Sequence, residues 1–286
     1  MAYENFIPTV WAEAINRELE RLSVFAEDCN REYEGEIKNR GESVKILGIG
    51  KPTITTTTKA SKDDALADPE TIEDTSAILY INQLSTFNYK VGDIDKAQSV
   101  GNIMDVLSKE TSEGLSCAQD KYIASFAADS SVTKLFGSTP KKVVCGTAGE
   151  GEENVLYMLD SALEKLYEND VSTNTEIVVT VPPRFYTLFK REYADKDTDN
   201  SKILKNGKVG MYGNITVKMS NNVHRENNSI DHIMIRTKRA IAFVNALTHT
   251  EAYRPEKLFA DAVKGYNLFD AKVVRPKEMI DINVTY

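Results

Sequence analysis

Residues able to do chemistry on a substrate are few in this sequence and widely scattered. Histidine titrates near neutral pH and is the commonest protein ligand for transition metals. It occurs only at His224, His232 and His249. No HxH or HxxxH spacing joins any two of them, so no metal pair is written into the local pattern. The cysteines are Cys29, Cys117 and Cys145. They form no CxxC pair and their number is odd, which argues against a zinc site or a disulfide framework and for a reducing compartment. Cys117 falls near the apolar face of a helical stretch and reads as a buried structural thiol. No GxSxG elbow presents a serine nucleophile. No catalytic, cofactor-binding or metal-ligating residue is assigned, and no cofactor is expected.

Two patterns look like binding loops and fail on context. Gly207, Gly210 and Gly213 are spaced GxxGxxG and precede a strand, whereas a phosphate loop follows a strand and opens a helix. They read as a tight turn leading into a strand. The acidic clusters at 63–74 and 195–199 miss the D-x-[DN]-x-[DN]-G calcium loop and read as solvated charge. Basic residues are dispersed, with no dense run among aromatics, so no sequence-reading nucleic-acid surface is indicated. The formal net charge of −8 repels phosphate. That argues against general nucleic-acid binding but is compatible with enclosing DNA without gripping it.

The elements that would position any site are clearer. The 286 residues are 41% hydrophobic and 27% charged, as in a globular chain of one large or two modest domains. No apolar run nears the roughly 18 residues of a membrane span, and the start lacks a basic-then-apolar leader, so an origin in a cytoplasm is expected. Thr9 caps a helical pattern of Val10, Trp11, Ala14, Ile15, Leu19 and Leu22. Residues 42–92 differ. Strand-like Val44–Ile49, Ala77–Leu84 and Phe87–Val91 surround a polar stretch that includes the run Thr53–Thr58. This reads as a long projecting β-hairpin whose cover comes from another chain. Residues 93–130 predict the longest helix, capped by Asp93 or Asp95. Its stripe is Ala97, Val100, Met104, Leu107, Thr111, Leu115, Ala118 and Tyr122. Gly101 and Gly114 each weaken it by about 1 kcal/mol and permit a bend. From residue 150 the pattern turns α/β. Helices are predicted at 155–166 and 185–193, and strands at 176–181 and 215–219. A strand pair at 231–237 and 240–247 joins at Lys238-Arg239, and final strands follow at 271–274 and 280–284.

The order of elements, more than any motif, resembles the major capsid proteins of tailed bacteriophages, the Hong Kong 97 fold. An N-terminal helix precedes a polar β-arm, a very long helix, a compact α/β domain and C-terminal strands. The resemblance is more specific late in the chain. Gly207-x-x-Gly210-x-x-Gly213-x-x-x-Val217 through Ser220-Asn221-Asn222-Val223 looks like the family's stretch into a strand and its loop. Ala240–Phe243 looks like the strand that follows. Pro255–Gly265 and Ala271–Pro276 resemble the ending that returns along the long helix. The resemblance implies an α+β fold with a long spine helix, a projecting β-hairpin E-loop and a compact α/β axial domain. The implied divisions are an N-terminal arm at 1–41, an E-loop at 42–92, a peripheral domain at 93–145 and 249–286, and an axial domain at 146–248. It further implies a non-enzyme that self-assembles as hexamers and pentamers into an icosahedral virion shell around double-stranded phage DNA. No membrane is involved, and assembly takes place in the bacterial host cytoplasm. A chain this short implies a separate scaffolding protein, and a portal. Lys59 and Lys62 lie in the arm where some family members crosslink, and read as surface lysines. Two alternatives stand beside this reading: an encapsulin-like nanocompartment shell enclosing a cargo enzyme, and a small α/β enzyme with an unrecognised site.

Overall fold

The computed structural model describes residues 23–32, 43–49, 74–92, 103–195, 209–212, 215–257 and 259–286. In chain order the first part holds β1 (Ser43–Ile49), β2 (Asp74–Tyr80), β3 (Gln83–Gly92) and α1 (Ile103–Ser125). The middle holds β4 (Thr133–Lys134), β5 (Lys141–Val144), β6 (Glu152–Asn154), α2 (Val155–Glu168), β7 (Ile177–Val181) and α3 (Pro183–Asp195). The remainder holds β8 (Val209–Tyr212), β9 (Ile215–Met219), β10 (Arg225–Glu226), β11 (Ile230–Thr237), β12 (Ile241–Tyr253), β13 (Ala260–Val273) and β14 (Met279–Thr285). Short 3-10 turns sit at Ala26–Asp28, Phe126–Ala128 and Pro276–Glu278.

Period-two burial builds the largest sheet. Its order is β6-β5-β14-β11-β7-β9-β8, with β10 beside β11 and β4 beside β14. Alternate residues of the central strands, Val179, Val217, Ile233, Ile235 and Ile282 among them, are fully enclosed on one face. Helix α2 lays Val155, Met158, Leu159, Ala162 and Leu166 on that face, at the spacing a single helical stripe requires. Asn154 fixes where α2 starts, because its side chain accepts from the Leu156 amide at 2.8 Å. Helix α3 begins directly after β7 and adds Phe185 and Phe189. Each such side chain contributes about 1.5–3 kcal/mol by leaving water.

A second core lies on the other face. The end of α1 (Ile123, Ala124), Ala127 and Val132 meet Met234, Met279, Phe243 and Phe269 there, with Phe25 and Cys29 of the 23–32 segment. A second sheet has the order β12-β13-β3, and β1 and β2 pair antiparallel in a ladder of their own. The ladder is rooted on β12, where Ile46, Leu79 and Ile81 pack against Ala242 and Val244.

Several expectations change. Strands β11 and β12 do not pair with each other. β11 pairs with β7 and β14, β12 pairs with β13, and the chain passes from one sheet to the other at residues 238–240. Adjacency in sequence favoured a hairpin, but β11 is flanked on both edges by β7 and β14, and β12 pairs along its length with β13. The 271–274 strand is the end of the much longer β13, and the 280–284 strand lies inside the large sheet. Gly210 lies within β8, which forms an antiparallel ladder with β9. The glycine-spaced segment is therefore strand as well as turn, and Gly207 and Gly213 lie outside the described residues. α1 runs from Ile103 through Gly114 without interruption and ends at Ser125. Its expected start at 93–102, the N-terminal helix, the 50–73 stretch with Lys59 and Lys62, and residues 196–199 also lie outside the described residues. β12 opens at Ile241, and β14 lies in the large sheet, paired with β11 and β5.

Gly265 shows how closely the smaller sheet is assembled. Its cross-strand neighbour Phe87 lies over it and reaches Leu115 of α1. A Cβ at Gly265 would stand inside contact distance of both the Phe87 ring and the His249 carbonyl. Gly265→Ala is expected to destabilise the protein by about 1–3 kcal/mol, read as a lower midpoint in thermal unfolding. An unchanged midpoint would show that the ring moves freely.

Candidate functional site

The face of the large sheet turned away from α2 and α3 is built from the other set of alternating residues. It carries His232 and Arg236 on β11, Asp281 and Asn283 on β14, Thr180 on β7 and Lys218 on β9. All of these except Lys218 are buried. Buried polar groups need partners inside the protein, and for Arg236, Asp281 and Asn283 these come from distant segments.

Arg236 is fully enclosed. Its guanidinium donates to the Asp28 carbonyl at 3.0 Å and the Phe25 carbonyl at 2.8 Å, and meets Cys29 Sγ at 3.0 Å. The 3-10 turn at 26–28 therefore offers its carbonyl ends to the arginine. Its amide end is met by Asp120 of α1, which accepts from the Ser23 hydroxyl at 2.7 Å and from the Val24 and Phe25 amides at 3.0 Å each. Asn30 then forms a parallel bridge to Ala242 at the start of β12. Lys218 pairs with Glu27 and Asp28, both at 2.9 Å. Burial acts against its charge, but the two carboxylates outweigh that and raise its ammonium above the usual lysine range. Burial pushes the Cys29 thiol up despite Arg236 beside it, so it is held as an unreactive SH. The segment 23–30 is thereby locked to both sheets and to α1.

A second cluster lies on the same face. His232 Nδ1 stands 2.8 Å from Asp281 Oδ2, and its Nε2 is 3.8 Å from Glu226. The His224 ring is 5.0 Å from His232. Burial lowers the His224 imidazole below the ordinary histidine value, and His232 adds to that. Burial raises the Asp281 carboxyl against the opposing bond from His232. An acid–base pair of this kind needs a nucleophile and a cavity beside it to be catalytic. Both of its members are fully buried, so the pair serves packing. Among the described residues no group of three or more His, Cys, Asp or Glu is arranged to hold a metal.

The third feature is the root of the arm. Asp270 of β13 accepts from the Tyr122 hydroxyl at 2.8 Å and the Asn82 amide at 3.0 Å, joining α1 to the turn between β2 and β3. Lys272 donates to the Ile78 carbonyl at 2.8 Å. Beside this anchorage Ile78, Tyr80 and Leu84 face outward, with Tyr80 and Leu84 more than half exposed. These side chains leave apolar surface in contact with water at the base of the arm.

Similarity to solved structures runs along nearly the whole chain. A chain from Mycobacterium phage Che8 is 25% identical with a TM-score of 0.68, over 91% of this chain and 90% of that one. The capsid of cyanophage P-SCSP1u gives 14% identity and a TM-score of 0.64, over 92% and 88%. The chain has a phage-capsid fold. The capsid of Ralstonia phage GP4 gives 11% and 0.64, over 93% and 90%. No protein-family model and no curated protein matches the sequence.

Within this phage-capsid fold, the residues first considered for chemistry are dispersed. His249 sits apart on β12, its ring 5.6 Å from that of Tyr266. The Cys117 thiol donates to Asn222 Oδ1 at 3.2 Å and the Cys145 thiol to the Leu188 carbonyl at 3.2 Å. Only His224 and His232 come together. Arg236, Asp120, Asp270 and Asp281 were missed. The available signal was a charged residue at every second or fourth position of otherwise apolar strands, as in His232 and Arg236.

Asp120→Ala removes the acceptor of three hydrogen bonds, two of them to buried groups. It is expected to cost about 3 kcal/mol and to open the 23–32 segment to limited proteolysis before the rest unfolds. Cleavage no faster than in the wild type would refute the lock. For His224 the sign follows from its lowered folded value. The unfolded imidazole takes its proton near pH 6.5 while the folded one resists, so stability is lost as pH falls through that value. Asp281, being raised, works in the opposite sense at lower pH, where its burial is relieved on approach to 3.8. His224→Gln should therefore show a smaller fall in thermal midpoint between about pH 8 and pH 5.5 than the wild type.

Proposed function

We propose that this protein is the major capsid protein of a tailed bacteriophage. On this reading it assembles as hexamers and pentamers of the Hong Kong 97 type into an icosahedral shell around double-stranded DNA. The observation that carries the reading is likeness over 91–93% of the chain to phage capsid structures. An enzyme sharing only an α/β core would not also share the arm. The phage origin of these neighbours favours a DNA-enclosing shell over a nanocompartment around a cargo enzyme.

On this reading each division is built around one sheet. The large sheet with α2 and α3 serves as the axial domain, and α1 with the β12-β13-β3 sheet as the peripheral domain. The β1–β2 ladder is the root of the E-loop, and the 23–32 segment belongs to the N-terminal arm. The arm's outward Tyr80 and Leu84 gain their cover from an adjacent subunit. The acidic chain repels DNA phosphates, which favours dense packing and later release over tight binding. A separate scaffolding protein and a portal complete the set of partners, and assembly takes place in the host cytoplasm.

The test is negative-stain microscopy of the expressed protein, alone and with the scaffold candidate from the same genome. Closed shells or free capsomers are expected. Replacing residues 50–73 by a short turn should leave a folded subunit that forms no closed shell. A wild-type protein that stays monomeric under all conditions would overturn the reading.

A further inference from the structure

Helices α2 and α3 lie over the same apolar face of the large sheet and touch each other. Their outward sides carry opposite charge. α2 exposes Asp160, Glu164 and Glu168, and α3 exposes Arg184, Lys190 and Arg191. Beside α2 runs a shallow groove of about 340 Å³, floored by Leu135 and Phe136 and rimmed by Glu164, Glu168 and Tyr157. Tyr157 is 58% exposed, an unusual state for an aromatic on a helix that buries every other large residue of its inner stripe. The two cations near the groove are already engaged. Lys165 pairs with Glu168 at 2.8 Å, and Lys141 lies 3.7 Å from Glu153.

We propose that this groove receives the basic outer face of α3 from a second copy of the chain, in a head-to-tail contact repeated around a ring. The proposal rests on the shell reading and names a surface for it. Charge complementarity selects the occupant. Pairing α2 with α2, or α3 with α3, would set like charges against each other. Two different complementary patches on one chain permit a heterologous contact, the kind that closes into rings. The chemistry of the rim fits the guest: a guanidinium stacks on the exposed Tyr157 face while carboxylates receive its N–H groups. Lys190 and Arg191, one turn or more beyond Arg184 on the exposed side of α3, supply such groups. Arg184 itself lies 4.5 Å over the Tyr286 ring and borders the contact.

Charge reversal tests this. The variants are Glu164→Lys with Glu168→Lys, Lys190→Glu with Arg191→Glu, and all four changes together. Assembly is followed by light scattering and microscopy at about 0.15 M salt, where surface charges act over about 8 Å. Each double variant is expected to assemble at least about tenfold more slowly than the wild type. The fourfold variant is expected to recover most of that rate. Combining the groove reversal with Lys238→Glu and Lys264→Glu restores net charge elsewhere and should not rescue. Circular dichroism verifies the fold of each variant. If the lysine reversals unfold, Glu164→Gln with Glu168→Gln gives the same comparison. The proposal is overturned if both double variants assemble at the wild-type rate, or if the fourfold variant is no better than the slower double. In those cases wild-type shells still form and the shell reading stands. A wild type that forms no shells removes both.

Discussion

An arginine with no route to water needs oxygen atoms around it, and Arg236 is that residue here. It cannot shed its charge, so leaving it without partners would cost several kcal/mol. The carbonyls of Phe25 and Asp28 meet the requirement, and in doing so they fix where the 23–32 segment lies. Asp120 holds the same turn from its amide side and so ties α1 to it. Asn30 continues into the start of β12. One buried cation thus brings together four parts of the chain that share no local sequence signal. Replacing it with an apolar residue of similar size would pack the space but take the guanidinium donors away from the Phe25 and Asp28 carbonyls.

This dependence explains which parts were legible in the sequence. Helix α2 was, because Val155, Leu159, Ala162 and Leu166 repeat at the helical period with no competing signal. β7 was too, as a short apolar run ended by Pro182-Pro183. β13 was read only at its last residues. Asp261, Gly265 and Asn267 interrupt any apolar alternation, and their places are decided by cross-strand partners on β3 and β12. The β11–β12 pairing was misread because local order favours a hairpin. What separates the two strands is that β11 is taken up between β7 and β14 while β12 pairs with β13. The site residues were less legible still. The partners of Arg236 lie 208 and 211 residues away, beyond any local pattern. The resemblance of element order succeeded where motifs failed, because it draws on the whole chain and needs no local set of reactive residues.

The two faces of the large sheet do different work. The α2–α3 side is apolar throughout and supplies most of the burial energy. The opposite side is mixed, and its polar groups specify which segments lie on it instead of adding much net stability. The smaller sheet carries the arm through Asp270, whose two oxygens reach α1 on one side and the β2–β3 turn on the other. A displacement of α1 along its axis would therefore be felt at the arm's root through a single carboxylate.

The place of β14 has a consequence for how the chain comes to be folded. Residues 279–285 form the strand between β5 and β11. Until they leave the ribosome, the β5–β6 edge and the β11–β7–β9 block have no strand between them, and the Ile280, Ile282 and Val284 positions beneath α2 stand empty. The nascent chain must hold two half-sheets with open edges from the completion of β11 at Thr237 until Met279–Thr285 are made. Such long-range closure folds slowly. It also means that a product lacking these residues loses the middle of its sheet rather than an edge.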